Sequence, residues 1–139
     1  ICMKKNNIKI KHHKGRIQKS YCRRKHIDKG VIGLISLDSG FIKETQLEAC
    51  RKLIQRKVKP KGKLWICVKP NYNLTSTPVG KRIGKGKGSV DHAVYRVRPG
   101  SVILEIDGVS IELCRQVLLG ASTRLPLKTS LTYREIIIC

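Results

Sequence analysis

The stretch Thr45-Gln-Leu-Glu-Ala-Cys-Arg-Lys-Leu-Ile-Gln-Arg-Lys-Val-Lys-Pro-Lys-Gly-Lys-Leu-Trp-Ile-Cys-Val-Lys69 changes its hydrophobic period midway. Leu47, Cys50, Ile54 and Val58 recur at helical spacing, and Arg51, Lys52, Gln55, Arg56 and Lys59 form the opposite face. Thr45-x-x-Glu48 reads as a capping box, and Pro60 stops the helix. Over residues 63–69 the pattern alternates instead. Leu64, Ile66 and Val68 fall on one side, Trp65 and Cys67 on the other. Apolar residues on both sides predict a central strand, with Trp65 in the core and not a base-stacking platform. One helix followed by one strand sets the class: helices packed on a sheet.

The same logic extends in both directions. Upstream, residues 31–37 read as a strand, and Asp38-Ser39-Gly40 as a turn. Downstream, residues 70–91 read as a long loop with little apolar content. Residues 93–98 and 101–106 then read as a hairpin about Pro99-Gly100, closed by Asp107-Gly108. A second helix is expected over 110–124, burying Cys114, Val117, Leu118, Ala121 and Leu125, and Leu125-Pro126 ends it. Residues 127–134 read as a last strand, with Leu127, Thr129, Leu131 and Tyr133 alternating. The predicted fold is α+β, two helices on a mostly antiparallel sheet. Its organisation is a basic arm (1–30), one domain (31–134) carrying the loop 70–91, and a short apolar tail (135–139).

Charge dominates the remaining signal. The chain has 139 residues, a net charge of +21 and a pI near 10.2. Such an excess repels itself in a compact fold and calls for a polyanion, with nucleic acid the first candidate. An anionic membrane is the second, but the longest uncharged apolar stretch is 31–37, far short of the roughly 20 residues that span a bilayer. Residues 1–30 hold eleven Lys/Arg against one acid, Asp28, and show no apolar period. They predict an arm that orders on RNA, through Lys9, Lys11, His13, Lys14, Arg16, Arg23 and Arg24. Between Ala49 and Val90 there is no acid against twelve Lys/Arg, so Arg51, Lys52, Arg56 and Lys59 join the same interface.

The most informative motif is Gly80-Lys-Arg-Ile-Gly-Lys-Gly-Lys-Gly88. Glycines let a backbone adopt positive φ and bring its amides close to phosphate oxygens, and the lysines between add point charges. The candidate contact residues are Lys81, Arg82, Gly84, Lys85, Gly86, Lys87 and Gly88. The phosphate-loop pattern fails, because Lys85 stands where its second glycine belongs, and the dinucleotide pattern fails at Ser89.

Catalytic and metal chemistry find little support. Three of the four histidines (His12, His13, His26) lie in the arm, and Asp91-His92 are merely adjacent. The cysteines Cys2, Cys22, Cys50, Cys67, Cys114 and Cys139 form no C-x-x-C pair. Cys50, Cys67 and Cys114 are expected as buried thiols. Cys22, His26, His12 and His13 match no familiar zinc spacing. No cofactor is expected.

His13-Lys-Gly-Arg16, Thr45-Gln-Leu-Glu-Ala49, Gly62-Lys-Leu-Trp-Ile66 with Pro70, and Pro78-Val-Gly-Lys-Arg-Ile-Gly-Lys-Gly-Lys-Gly88 occur in this order. Pro99-Gly100, Leu104-Glu-Ile-Asp-Gly108 and Leu125-Pro-Leu-Lys-Thr129 follow. Together they resemble the family of large-subunit ribosomal protein sixteen, bacterial L-sixteen and eukaryotic L-ten, from about Lys9 to Tyr133. The resemblance implies a hammerhead-type α+β fold and a non-enzymatic structural role on large-subunit ribosomal RNA. It implies that residues 13–16 contact that RNA. It also implies that the loop, with Arg82 and Gly84 to Gly88, reaches toward aminoacyl-tRNA near the peptidyl-transferase centre. Neighbouring ribosomal proteins are the expected protein partners, with no membrane and no homo-oligomer. The chain departs from the family at His92 and Ala93, between Ile17 and Gly30, and in its Ile-rich tail. Abundant Lys and Ile, specified by A/T-rich codons, and an initial Ile1 point to a mitochondrial copy, with another organellar or a bacterial ribosome as the alternative. The competing class is an RNA-processing or RNA-modifying enzyme with a basic docking arm.

Overall fold

In the computed structural model, residues 10–17, 26–59, 61–80, 82, 84 and 86–134 are described. Their elements are β1 (Ile32–Ser36), β2 (Gly40–Lys43), α1 (Glu44–Val58), β3 (Lys63–Ile66), β4 (Tyr72–Ser76), β5 (Ser89–Val97), β6 (Val102–Asp107), α2 (Ile111–Ser122) and β7 (Thr129–Tyr133). The class is α+β with antiparallel pairing, as expected, but the strands form two sheets. One has the order β3-β6-β1-β7 and the other β2-β5-β4.

In the four-stranded sheet, Ile32 and Leu34 of β1 pair with Ile106 and Leu104 of β6, and Leu34 also pairs with Leu131 of β7. Alternation sends these side chains to one face, against Leu47, Cys50, Ile54 and Val58 of α1 and Cys114, Val117, Leu118 and Ala121 of α2. Both helical stripes are buried as their spacing predicts. Each fully buried Leu or Ile contributes about 1.5–3 kcal/mol of transfer free energy. Ile42 of β2 and Val97 of β5 belong to the same core, which joins the two sheets.

Several expectations are corrected. Lys43, not Thr45, is the N-cap of α1: the side chain of Gln46 accepts the Lys43 amide at 2.9 Å, and Thr45 lies inside the first turn. Glu48 bonds instead to Arg51, at 2.6 and 2.8 Å. The residues after the Asp38-Ser39 turn form β2, a strand too short to show a period. Residues 63–69 do not make a central strand. Only Lys63–Ile66 is strand, it lies at a sheet edge, and it pairs with β6 alone. Leu64 and Ile66 pack on the core, whereas Trp65 is half-buried and stands outside the core cluster. Much of the loop 70–91 is strand, with β4 and the start of β5 forming a hairpin. Residues 93–98 and 101–106 are not a hairpin, because β5 and β6 belong to different sheets. Between them Gly100 adopts φ 79° and donates its amide to the Ser36 carbonyl at 2.6 Å. Pro60 and the apolar tail lie outside the described residues.

Candidate nucleic-acid interface

The hairpin β4–β5 carries the glycine-lysine motif at its tip. Gly80, Gly84 and Gly86 have φ of 85°, 100° and 85°, and a Cβ at any of them would meet nothing within 4 Å. They are required by backbone conformation, not by packing. Gly88 differs: a Cβ there would collide with the Ser76 carbonyl across the hairpin. Arg82, Gly84, Gly86 and Lys87 are exposed, and Gly88 is half-buried. Val79 is fully exposed beside them. Lys81 and Lys85 lie outside the described residues, as do Lys9, Arg23 and Arg24 of the arm.

Residues 10–17 of the expected arm lie against this hairpin. The buried Asn73 of β4 directs its backbone amide to His12 Nδ1 at 3.3 Å, and its side-chain amide donates to the Ile10 carbonyl at 3.1 Å. Arg96 of β5 donates to the Arg16 carbonyl at 2.6 Å and to the Tyr72 hydroxyl at 2.7 Å. Its guanidinium lies 4.7 Å from the Tyr72 ring centroid, and the His12 ring is 4.7 Å from the same ring. Lys11, His13, Lys14 and Arg16 are exposed along this segment. The structure therefore brings the arm and the loop together. Of the residues that do so, Tyr72 and Asn73 carry no sequence signal beyond polarity in a stretch that reads as loop, and Arg96 falls in a run that reads as a strand of a different hairpin.

Lys52, Arg56 and Lys59 are exposed on or just beyond α1. Arg51 is half-buried and bonds to Glu48 and, at 2.6 Å, to Gln55.

The root of the arm is held differently. Glu105 of β6 is buried on the sheet face opposite the helices. Its carboxylate accepts the amides of Asp28, Lys29 and Gly30 at 3.3, 2.9 and 2.9 Å, and the Cys67 thiol at 3.3 Å. Burial pushes the carboxyl upward, but the amides and the thiol outweigh it and hold it below the usual value. Cys67 does not meet the expectation of a buried thiol. It is exposed as a residue, and its own value is pushed up to about 12, by burial of the sulfur and then by Glu105. Cys50 and Cys114 are buried, and burial raises both. Cys2, Cys22 and Cys139 lie outside the described residues.

Asp91 and His92 touch at 2.9 Å on the exposed part of β5. No group of three or more His, Cys, Asp or Glu able to hold a metal occurs among the described residues. No helix there is long and apolar enough to cross a membrane. These features define a class: a basic α+β scaffold that displays cationic groups on an exposed hairpin and an arm laid beside it.

Known proteins are similar to this sequence. The model of the family Ribosomal protein L16p/L10e matches residues 4–132. A relative named Large ribosomal subunit protein uL16 from Psychrobacter arcticus is 42% identical over 126 residues, covering 91% of this chain and 92% of its own. Proteins of the same name from Buchnera aphidicola subsp. Cinara cedri and Thermosipho melanesiensis are 42% and 41% identical, covering 86% and 90% of this chain and 87% and 88% of theirs. The chain belongs to the ribosomal protein L16p/L10e family. It is a structural ribosomal protein and not an enzyme, so the RNA-modifying alternative falls.

Proposed function

We propose that this constituent of the large ribosomal subunit clamps ribosomal RNA and shapes the site that accepts aminoacyl-tRNA. The observation that carries this reading is the exposed glycine-lysine hairpin, built on the β4–β5 stem and flanked by the basic segment 10–17. Lysines on the arm and on α1 contact phosphates and supply affinity. Helical RNA hides its base edges in a deep, narrow groove, so recognition follows shape. The arm residues Lys9, Lys11, His13, Lys14, Arg16, Arg23 and Arg24 and the helix residues Arg51, Lys52, Arg56 and Lys59 serve ribosomal RNA. Residues 81–88 face the tRNA and the peptidyl-transferase centre. One copy works within the particle, beside neighbouring ribosomal proteins. The abundance of Lys and Ile supports a mitochondrial ribosome as its place.

The test substitutes Arg82, Lys85 and Lys87 with Ala in purified ribosomes. Assembly is expected to persist, because the arm and α1 keep most of the charge. Aminoacyl-tRNA affinity and the rate of peptide-bond formation are expected to fall. Mutant particles that bind tRNA and translate at the normal rate would overturn the placement of the hairpin.

A further inference from the structure

The arm and the hairpin are far apart in sequence, yet their lysines interlock. Lys11 Nζ reaches the Lys87 carbonyl at 3.5 Å, and Lys87 Nζ reaches the Lys11 carbonyl at 3.3 Å. Two exposed ammonium groups are thus brought to one junction of arm and hairpin. Neither forms an ion pair with an acid among the described residues; the pairs there are Arg51–Glu48 and His92–Asp91. Each ammonium has three donors, and one carbonyl engages one of them. The others remain for an outside acceptor.

The junction is also fixed from both sides. Asn73 holds Ile10 and His12, and Arg96 holds Arg16, so segment 10–17 cannot slide along the stem without breaking those bonds. Gly86, at φ 85°, and Gly88, against Ser76, set the backbone on either side of Lys87. We propose that Lys11 and Lys87 together form one phosphate-binding site at the junction of arm and hairpin, with Asn73 as its positioning residue. The site takes a single backbone phosphate of ribosomal RNA that crosses from the arm to the hairpin, so Lys87 engages that RNA in addition to its place in the tRNA-facing hairpin. This inference rests on the proposed RNA-binding role.

The experiment measures binding of the full-length chain to a large-subunit ribosomal RNA transcript over a range of salt. The variants are Lys11→Ala, Lys87→Ala and the pair. Each single change is expected to weaken binding about threefold to tenfold, and the pair by less than the product of the two. One shared phosphate lowers the slope of log K against log salt by roughly 0.7–0.9, whereas two independent contacts lower it by roughly twice as much. In an Asn73→Asp background, which removes the donor to Ile10, the two lysines are expected to act independently. The lysine variants touch no core atom, so they decide the matter even if Asn73→Asp does not fold. Independent effects and a doubled slope change in the wild-type background overturn the joint site while leaving RNA binding intact. Failure of the wild-type chain to bind the transcript overturns both readings.

Discussion

Glu105→Gln keeps the size of the side chain but replaces one acceptor oxygen with a donor that faces the amides and thiol now bonded to the carboxylate. A buried group left without its partner costs about 1–3 kcal/mol, so the urea midpoint is expected to fall accordingly. The sign of the pH effect follows from the lowered carboxyl. Its contribution is complete above the unfolded value of about 4.3 and is lost as pH falls through the lower folded value. Wild type should lose this stability in acid, and Glu105→Gln should flatten that part of the profile. The same pair governs reactivity. With its thiol pushed up to about 12, Cys67 should react with iodoacetamide at pH 8 about tenfold or more slowly than an unperturbed thiol, despite its exposure. Removing the Glu105 charge should speed that reaction; an unchanged rate would show that the carboxylate does not hold the thiol. None of this is legible in the sequence, where Cys67 looks like one more apolar position of a strand.

Both helices can be read from the sequence because their stripes run for several turns. The short strands cannot. Gly40–Lys43 offers no period, and Tyr72–Ser76 is polar apart from its ring and Leu74. Asn73 is buried there with its side-chain amide donating to the Ile10 carbonyl, a partnership that depends on tertiary contact. Lys63–Ile66 misleads in the other direction: two apolar faces suggest a central strand, but the strand lies at the edge and Trp65 is half-buried. Trp65→Ala is therefore expected to cost about 1–2 kcal/mol in chemical denaturation, below the roughly 3–5 kcal/mol typical of aromatic truncation in a core. The glycine-lysine motif is legible as a phosphate-seeking element, but its stem and the arm alongside it are not.

At the scale of the molecule, a net charge of +21 makes the isolated chain repel itself. Adding heparin, a polyanion without sequence, should raise the melting temperature through linkage. Deleting residues 1–25, which leaves the amides that hold Glu105 in place, should weaken RNA binding and flatten its salt dependence, because it removes ten positive charges. An unchanged slope would make the arm a passive tail.

The first strand of the larger sheet closes only on late partners: β1 pairs with β6 on one side and β7 on the other. On a chain made from its N-terminus, Ile32 and Leu34 must wait until residues 102–107 and 129–133 have been synthesised. Such non-local pairing is slow as well as late. During that interval the basic arm is present while β6, which holds its root at residues 28–30, is not. Until those residues are made, the newborn chain is thus an open polycation whose apolar strand residues stay bare.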